Sequence, residues 1–239
     1  MNPEQDYFPV PFETFPALDA LPHLWAVFLR RVPGLDVRTE RETALSRLAK
    51  IHRNALDAIG FSSMPLATAM QIHSPHVVRV ALETPFPVAD CDALVTTVPG
   101  LCLGIYVADC AAVYLADRQG RGIALAHSGR NGTALGIVPH TIAALLAATG
   151  ASPQDLVVQI SPCIRPPHYE TDFAATIRQQ AADCGVPSVH DCGHCTASHP
   201  EAYYSYRLEK GRTGRHLAAL ALTSKPPRPS KFFQNSATS

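Results

Sequence analysis

Apolar and polar positions alternate in two distinct rhythms along this chain. A Pro-rich stretch, residues 1–22, leads into LWAVFLRR, an apolar run that predicts a first strand. Thr39 and Glu42 then have capping-box spacing. Leu45, Leu48, Ala49, Leu56 and Ile59 follow as a helical stripe closed by Gly60. After Gln71 the rhythm becomes that of strands: VVRVAL, DALVTTV, LCLGIYVAD, AAVYLAD and GIALAHS, separated by Pro, Gly or Asp turns. These runs are almost continuously apolar, which predicts sheet covered on both faces. A helix over roughly residues 133–149, disturbed at Pro139, precedes the strand LVVQISP and the helix DFAATIRQQAAD, which ends near Gly185. PSVHD, AYYSYR and LAALAL read as final strands. The pattern predicts a single α+β domain over 1–222, a mixed, largely buried β-sheet structure flanked by helices. A flexible Pro/Ser-rich tail, 223–239, follows it.

Composition narrows the function classes. Of 239 residues, 46% are hydrophobic and 17% charged, which excludes a mainly disordered chain. Twenty basic and twenty acidic side chains give a formal net charge of zero. That balance argues against a nucleic-acid polymer as partner, and its weak colloidal repulsion permits self-association, a homodimer being the simplest case. The longest uncharged stretch, Asn131–Gln154, is broken by Gly, Pro and His and does not suit a bilayer. MNPEQDYFPVPFETF lacks a basic segment followed by an apolar one, so the expectation is a cytoplasmic protein whose seven cysteines stay reduced.

Three residues at or after strand ends are candidate metal ligands: His73 in Gln71-Ile72-His73, Cys110 in Ala108-Asp109-Cys110, and His127 in Ala126-His127-Ser128. Two imidazoles and a thiolate suit Zn²⁺ at three corners of a tetrahedron, with the fourth open to water or substrate. Spacings of 37 and 17 residues do not by themselves separate this reading from three ordinary strand-end side chains. Cys192-Gly193-His194-Cys195 has the look of a dithiol redox motif, but no helix follows it and under thirty residues of domain remain.

QIHSPHVV, DALVTTVPGLCLGIYVADCAAVYLAD, GIALAHSGRNGTALGI, ISPCIRPPHYE and CTASHPEAYYSYRLEKGRTGR, in that order, resemble the multicopper-oxidase-like laccase-domain family over roughly residues 15–222. That family also goes under the names peptidoglycan editing factor and zinc-dependent purine nucleoside phosphorylase. The resemblance implies that His73, Cys110 and His127 bind the metal. Zinc is expected, with copper the alternative because Cu²⁺ outcompetes Zn²⁺ for such donors. It implies phosphorolysis of adenosine, inosine or methylthioadenosine, or deamination of adenosine, so the partners are a small nucleoside and phosphate. The alternatives are a copper-dependent phenol oxidase and a metal-stabilised peptidoglycan-editing factor without nucleoside turnover. The chain departs from the family after the last ligand, with Ser128-Gly129-Arg130-Asn131-Gly132 where Ala-Gly-Trp-Arg-Gly is usual. It also has Ser161-Pro162-Cys163-Ile164-Arg165 in place of Gly-Pro-x-Ile-Gly.

Arg130, Arg165, Arg207 and Arg215 are the cations available for phosphate, with Arg130 favoured because it lies three residues past a ligand. Asp109 and Glu170 are the acid/base candidates. Asp109 reads alternatively as a turn residue or as the carboxylate that orients a ligand histidine. Gln71 alternates with His73 along an expected strand, so it either holds a substrate amide edge or caps the sheet. Asp92, opening DALVTT, reads as structural.

Overall fold

A computed structural model describes residues 10–223. The chain opens with β1 (Phe12–Glu13), the short α1 (Pro16–Asp19), β2 (Leu24–Leu29) and α2 (Arg41–Leu56), which runs into a wider helical turn at Asp57–Phe61. Six strands follow: β3 (Leu66–Thr68), β4 (Val77–Arg79), β5 (Ala93–Thr96), β6 (Cys102–Val107), β7 (Ala111–Asp117) and β8 (Ile123–Ser128). Then come α3 (Arg130–Ala134), α4 (Ile137–Thr149), β9 (Leu156–Ile160), α5 (Phe173–Asp183), β10 (Ser188–Asp191) and β11 (His216–Leu222).

The strands form two mixed sheets, in the orders β1-β2-β11-β6-β3 and β10-β9-β7-β8-β5-β4. The faces alternate as a pleat requires. In β7, Ala112, Tyr114 and Ala116 enter the core between the sheets, while Ala111, Val113 and Leu115 pack beneath α4 and α5. In β11, Ala218, Leu220 and Leu222 enter the same central core, and Leu217, Ala219 and Ala221 face α2. Helix, sheet, sheet and helix are thus layered, and each sheet is covered on both sides. That is why the strand sequences carry no polar alternation. The fold is α+β, with two sheets.

Several local expectations are corrected. Thr39 and Glu42 form no capping box: the residue preceding α2 is Glu40, and no side chain caps that helix. The helix expected over 133–149 is two helices, and the break lies before Pro139, at Gly136, whose φ of 75° suits glycine. Pro139 sits in the first turn of α4, where a missing N–H costs nothing. AYYSYR is not a strand but a run of turns between β10 and β11. Thr223 apart, the 223–239 tail lies outside the described residues. Among the described residues, no helix is long and apolar enough to cross a membrane.

Tyr114 ties the layers together. Fully buried, it donates its hydroxyl to the Val27 carbonyl of the opposite sheet at 2.8 Å. Tyr114→Phe keeps the ring packing and loses that bond, so the urea midpoint should fall by the equivalent of about 1 kcal/mol with an unchanged slope.

Candidate metal centre

Strand register decides which residues meet at one end of the six-stranded sheet. Ala93 of β5 faces Ala126 of β8, so Asp92 stands opposite His127. Ala111 of β7 faces Ser128, so Cys110 stands opposite Gly129. The absence of a side chain at Gly129 is what admits the sulfur, because a Cβ there would lie 2.3 Å from Cys110 Sγ. His73 arrives from the loop between β3 and β4. The donor atoms of His73, Cys110 and His127 all lie within 4.8 Å of one another, and no other such group occurs among the described residues. The two imidazole rings meet edge to face at 4.8 Å.

The Asp92 carboxylate, fully buried, holds two of these residues in place. Its Oδ1 accepts from His127 Nδ1 at 2.8 Å and from the His73 amide at 3.0 Å. Its Oδ2 accepts from the Ile72 and Ser74 amides at 3.2 and 2.6 Å and from the Ser74 hydroxyl at 2.9 Å. These bonds pin a loop in which His73 adopts φ of 63°, a left-handed conformation that a bulky side chain rarely takes. They also occupy the Nδ1 of His127, leaving Nε2 to point at a ligand.

The charges are matched to this geometry. Burial works against an ionised Asp92, yet the bonds from His127 and Ser74 outweigh it and hold the carboxyl well below its ordinary range. Burial likewise opposes an ionised Cys110, but His127 and His73 beside it draw the thiol down to about 6. Burial disfavours the His127 cation, and Cys110 and Asp92 raise it to about 9. A thiolate and an imidazolium therefore pair near neutrality, and a divalent cation can replace the imidazolium proton. A half-buried anionic thiolate, a buried and oriented imidazole and a second, exposed imidazole are a donor set that fits Zn²⁺ or Cu²⁺.

The centre opens on a cavity of about 890 Å³ that Gln71, Asp109, Arg130 and Glu170 also line. Gln71 does not share a strand with His73. Its amide bridges the Tyr106 backbone instead, donating to the carbonyl at 2.7 Å and accepting from the amide at 3.2 Å, and so extends the edge of β6. Asp109 touches neither histidine of the centre, and the orienting carboxylate is Asp92. The oxygens of Asp109 accept from Thr196 at 2.7 Å, Ser205 at 3.1 Å and the Arg207 amide at 2.7 Å. Burial pushes its carboxyl up against these bonds. Glu170 lies between Arg207, which donates to it, and Arg130, 3.6 Å away.

Arg165 does not face this cavity. Its planar fork is spent on Asp191, with Nη1 to Oδ2 at 3.0 Å and Nη2 to Oδ1. Arg207 and Arg215 do line the cavity, joined by Arg41 and Lys210, which sequence spacing did not single out. Neither did it single out the aromatic walls, Tyr106, Tyr169, Phe173 and Tyr206. All seven cysteines are free thiols, and the residues around Cys192 and Cys195 form no converging donor group.

The model of the family described as multi-copper polyphenol oxidoreductase laccase matches residues 33–175 and 168–223. The chain belongs to that family. It is 33% identical over 201 residues to a purine nucleoside phosphorylase of Corynebacterium glutamicum, covering 72% of this chain and 80% of that one. It is 29% identical to a purine nucleoside phosphorylase of Deinococcus radiodurans, with 69% and 73% covered. The crystal structure of YlmD from Geobacillus stearothermophilus shares the fold, with a TM-score of 0.73 at 22% identity over 85% of this chain and 93% of that one.

Two outcomes follow for the centre. Asp92→Asn removes an anionic acceptor and frees the His127 ring, so zinc affinity by competitive chelation should fall about 10- to 100-fold. In metal-free protein, alkylation of Cys110 by iodoacetamide should rise with a midpoint near pH 6. The sign follows from the imidazoles, which favour the thiolate. Zinc should protect Cys110, and a midpoint at the ordinary thiol value would contradict the pairing.

Proposed function

We propose that this protein is a zinc-dependent purine nucleoside-processing enzyme that cleaves the glycosidic bond with phosphate. The observation that carries this reading is the convergence of His73, Cys110 and His127 on a cavity walled by both aromatic and cationic side chains. The purine nucleoside phosphorylases among its relatives support it.

Tyr106, Tyr169, Phe173 and Tyr206 offer faces on which a planar base can stack, and the arginines offer donors to an oxyanion. Bound at His73, Cys110 and His127, zinc would supply Lewis acidity toward an oxygen of substrate or water. The chain's own groups bind and orient. Asp92 fixes the His127 ring, and Gln71 fixes the edge of β6 beneath the cavity.

Two carboxylates are available to move a proton. Asp109, raised by burial, is the better suited to carry one. Glu170 is lowered, by its own backbone amide first and then by Arg207 and Arg130, and suits an acceptor. The same cavity suits adenosine deamination, with attack at C6 of the base. A phenol oxidase needing several copper centres is less well supported, since the described residues hold one donor group.

Zinc-loaded protein incubated with adenosine should yield adenine and ribose-1-phosphate only when inorganic phosphate is present. Inosine in the chromatogram would report deamination. Cys110→Ser should lose the metal and about 100-fold or more of turnover. Failure of the zinc-loaded protein to turn over adenosine, inosine or methylthioadenosine would refute the reading.

A further inference from the structure

The cations of the cavity fall into two groups. Arg130 and Arg207 already share an internal anion, Glu170. Arg207 also lies over the Tyr169 ring at 4.9 Å, so it is engaged on two sides.

Arg215 is different. It is only 7% exposed, yet no carboxylate pairs with it among the described residues. One guanidinium nitrogen, Nη1, donates to the Thr213 and Gly214 carbonyls at 2.8 and 2.9 Å, and the Tyr206 ring lies 5.8 Å from the guanidinium carbon. Those neutral contacts fix the position of the group, and among the described residues no acidic side chain bonds to it. A second cation, Arg41, lines the same cavity and adds repulsion, and burial and Arg41 together make the charged state of Arg215 harder to hold. Lys210 lines the wall as well. A buried guanidinium is costly unless an anion meets it.

Its place in the fold puts that charge close to the metal centre. His216 faces Val107 in the β11–β6 ladder, so Arg215 and the Ala108-Asp109-Cys110 segment leave the same end of the sheet. Arg215 feels both Asp109 and Cys110 electrostatically.

We propose that Arg215, assisted by Arg41, is the oxyanion subsite of this cavity and binds the inorganic phosphate that attacks the nucleoside. This rests on the nucleoside-processing reading above and changes its expected anchor from Arg130 to Arg215. The planar fork, held at one nitrogen by two backbone carbonyls, presents its remaining donors to two phosphate oxygens. Phosphate then neutralises the pair of arginines that the chain leaves unpaired. Glu170 keeps Arg130 and Arg207 from competing for the same anion.

The test is calorimetric titration of inorganic phosphate into the zinc-loaded protein and its variants, with no nucleoside present. Arg215→Lys keeps the charge and loses the fork, and its affinity for phosphate should drop about tenfold. The exposed Arg41→Gln should weaken binding about threefold without perturbing the fold. Arg130→Gln should leave it within about twofold of wild type. Should Arg215→Lys fail to fold in thermal melts, the comparison of Arg41→Gln with Arg130→Gln decides the matter. Unaltered binding in a folded Arg215→Lys, or a larger loss in Arg130→Gln than in Arg41→Gln, overturns the assignment. Phosphate-dependent cleavage of adenosine that persists with unaltered phosphate affinity in Arg215→Lys would refute the subsite and leave phosphorolysis standing, whereas a wild-type protein that deaminates adenosine and binds no phosphate would refute both.

Discussion

One buried carboxylate, Asp92, accepts hydrogen bonds from three consecutive backbone amides, a serine hydroxyl and an imidazole ring. A buried carboxylate is tolerable only when its lone pairs are taken, and here each oxygen has at least two donors. The same bonds that satisfy it bend the His73 loop into a left-handed turn and lock His127 in one tautomer. The loop and the ring would otherwise be independent, one on a connection and one in a strand. Their shared acceptor turns two separated histidines into a donor pair facing one thiolate.

That arrangement is held at its other side by backbone rather than by side chains. Cys110 stands opposite Gly129 in the β7–β8 register, and the sulfur occupies space that any Cβ would fill. The strands carrying these residues are buried on both faces, beneath α4 on one side and against the second sheet on the other. A close-packed double layer resists the small shifts that would separate the three donors. The 164–172 and 206–215 segments of the cavity wall are connections laid over that rigid end, which is where binding residues are usually carried.

Much of this was readable in the chain. The strand runs from 93 to 128 and the α5 helix match the sequence pattern closely, because apolar continuity and turn residues report burial and boundaries directly. Strand-end positions make His73, Cys110 and His127 candidates, the resemblance to the laccase-domain family singles them out, and the fold brings their donor atoms within 4.8 Å of one another. Asp92 was not recognised as their organiser, since its role comes from facing His127 across a strand pair, a relation that linear spacing does not reveal. Arg165 looked like a phosphate ligand on charge alone, and Asp191, 26 residues on, claims it. AYYSYR has strand composition, but the Ser205 hydroxyl and the Arg207 amide bind Asp109 and hold it in turns.

The central claim is that one centre, made by His73, Cys110 and His127, holds the metal. X-ray absorption at the zinc K-edge of the loaded protein examines it most directly. A single sulfur at about 2.3 Å with two imidazole nitrogens near 2.0 Å is the expected shell. A shell without sulfur, or with two or more sulfurs as the Cys192–Cys195 segment would provide, would contradict it.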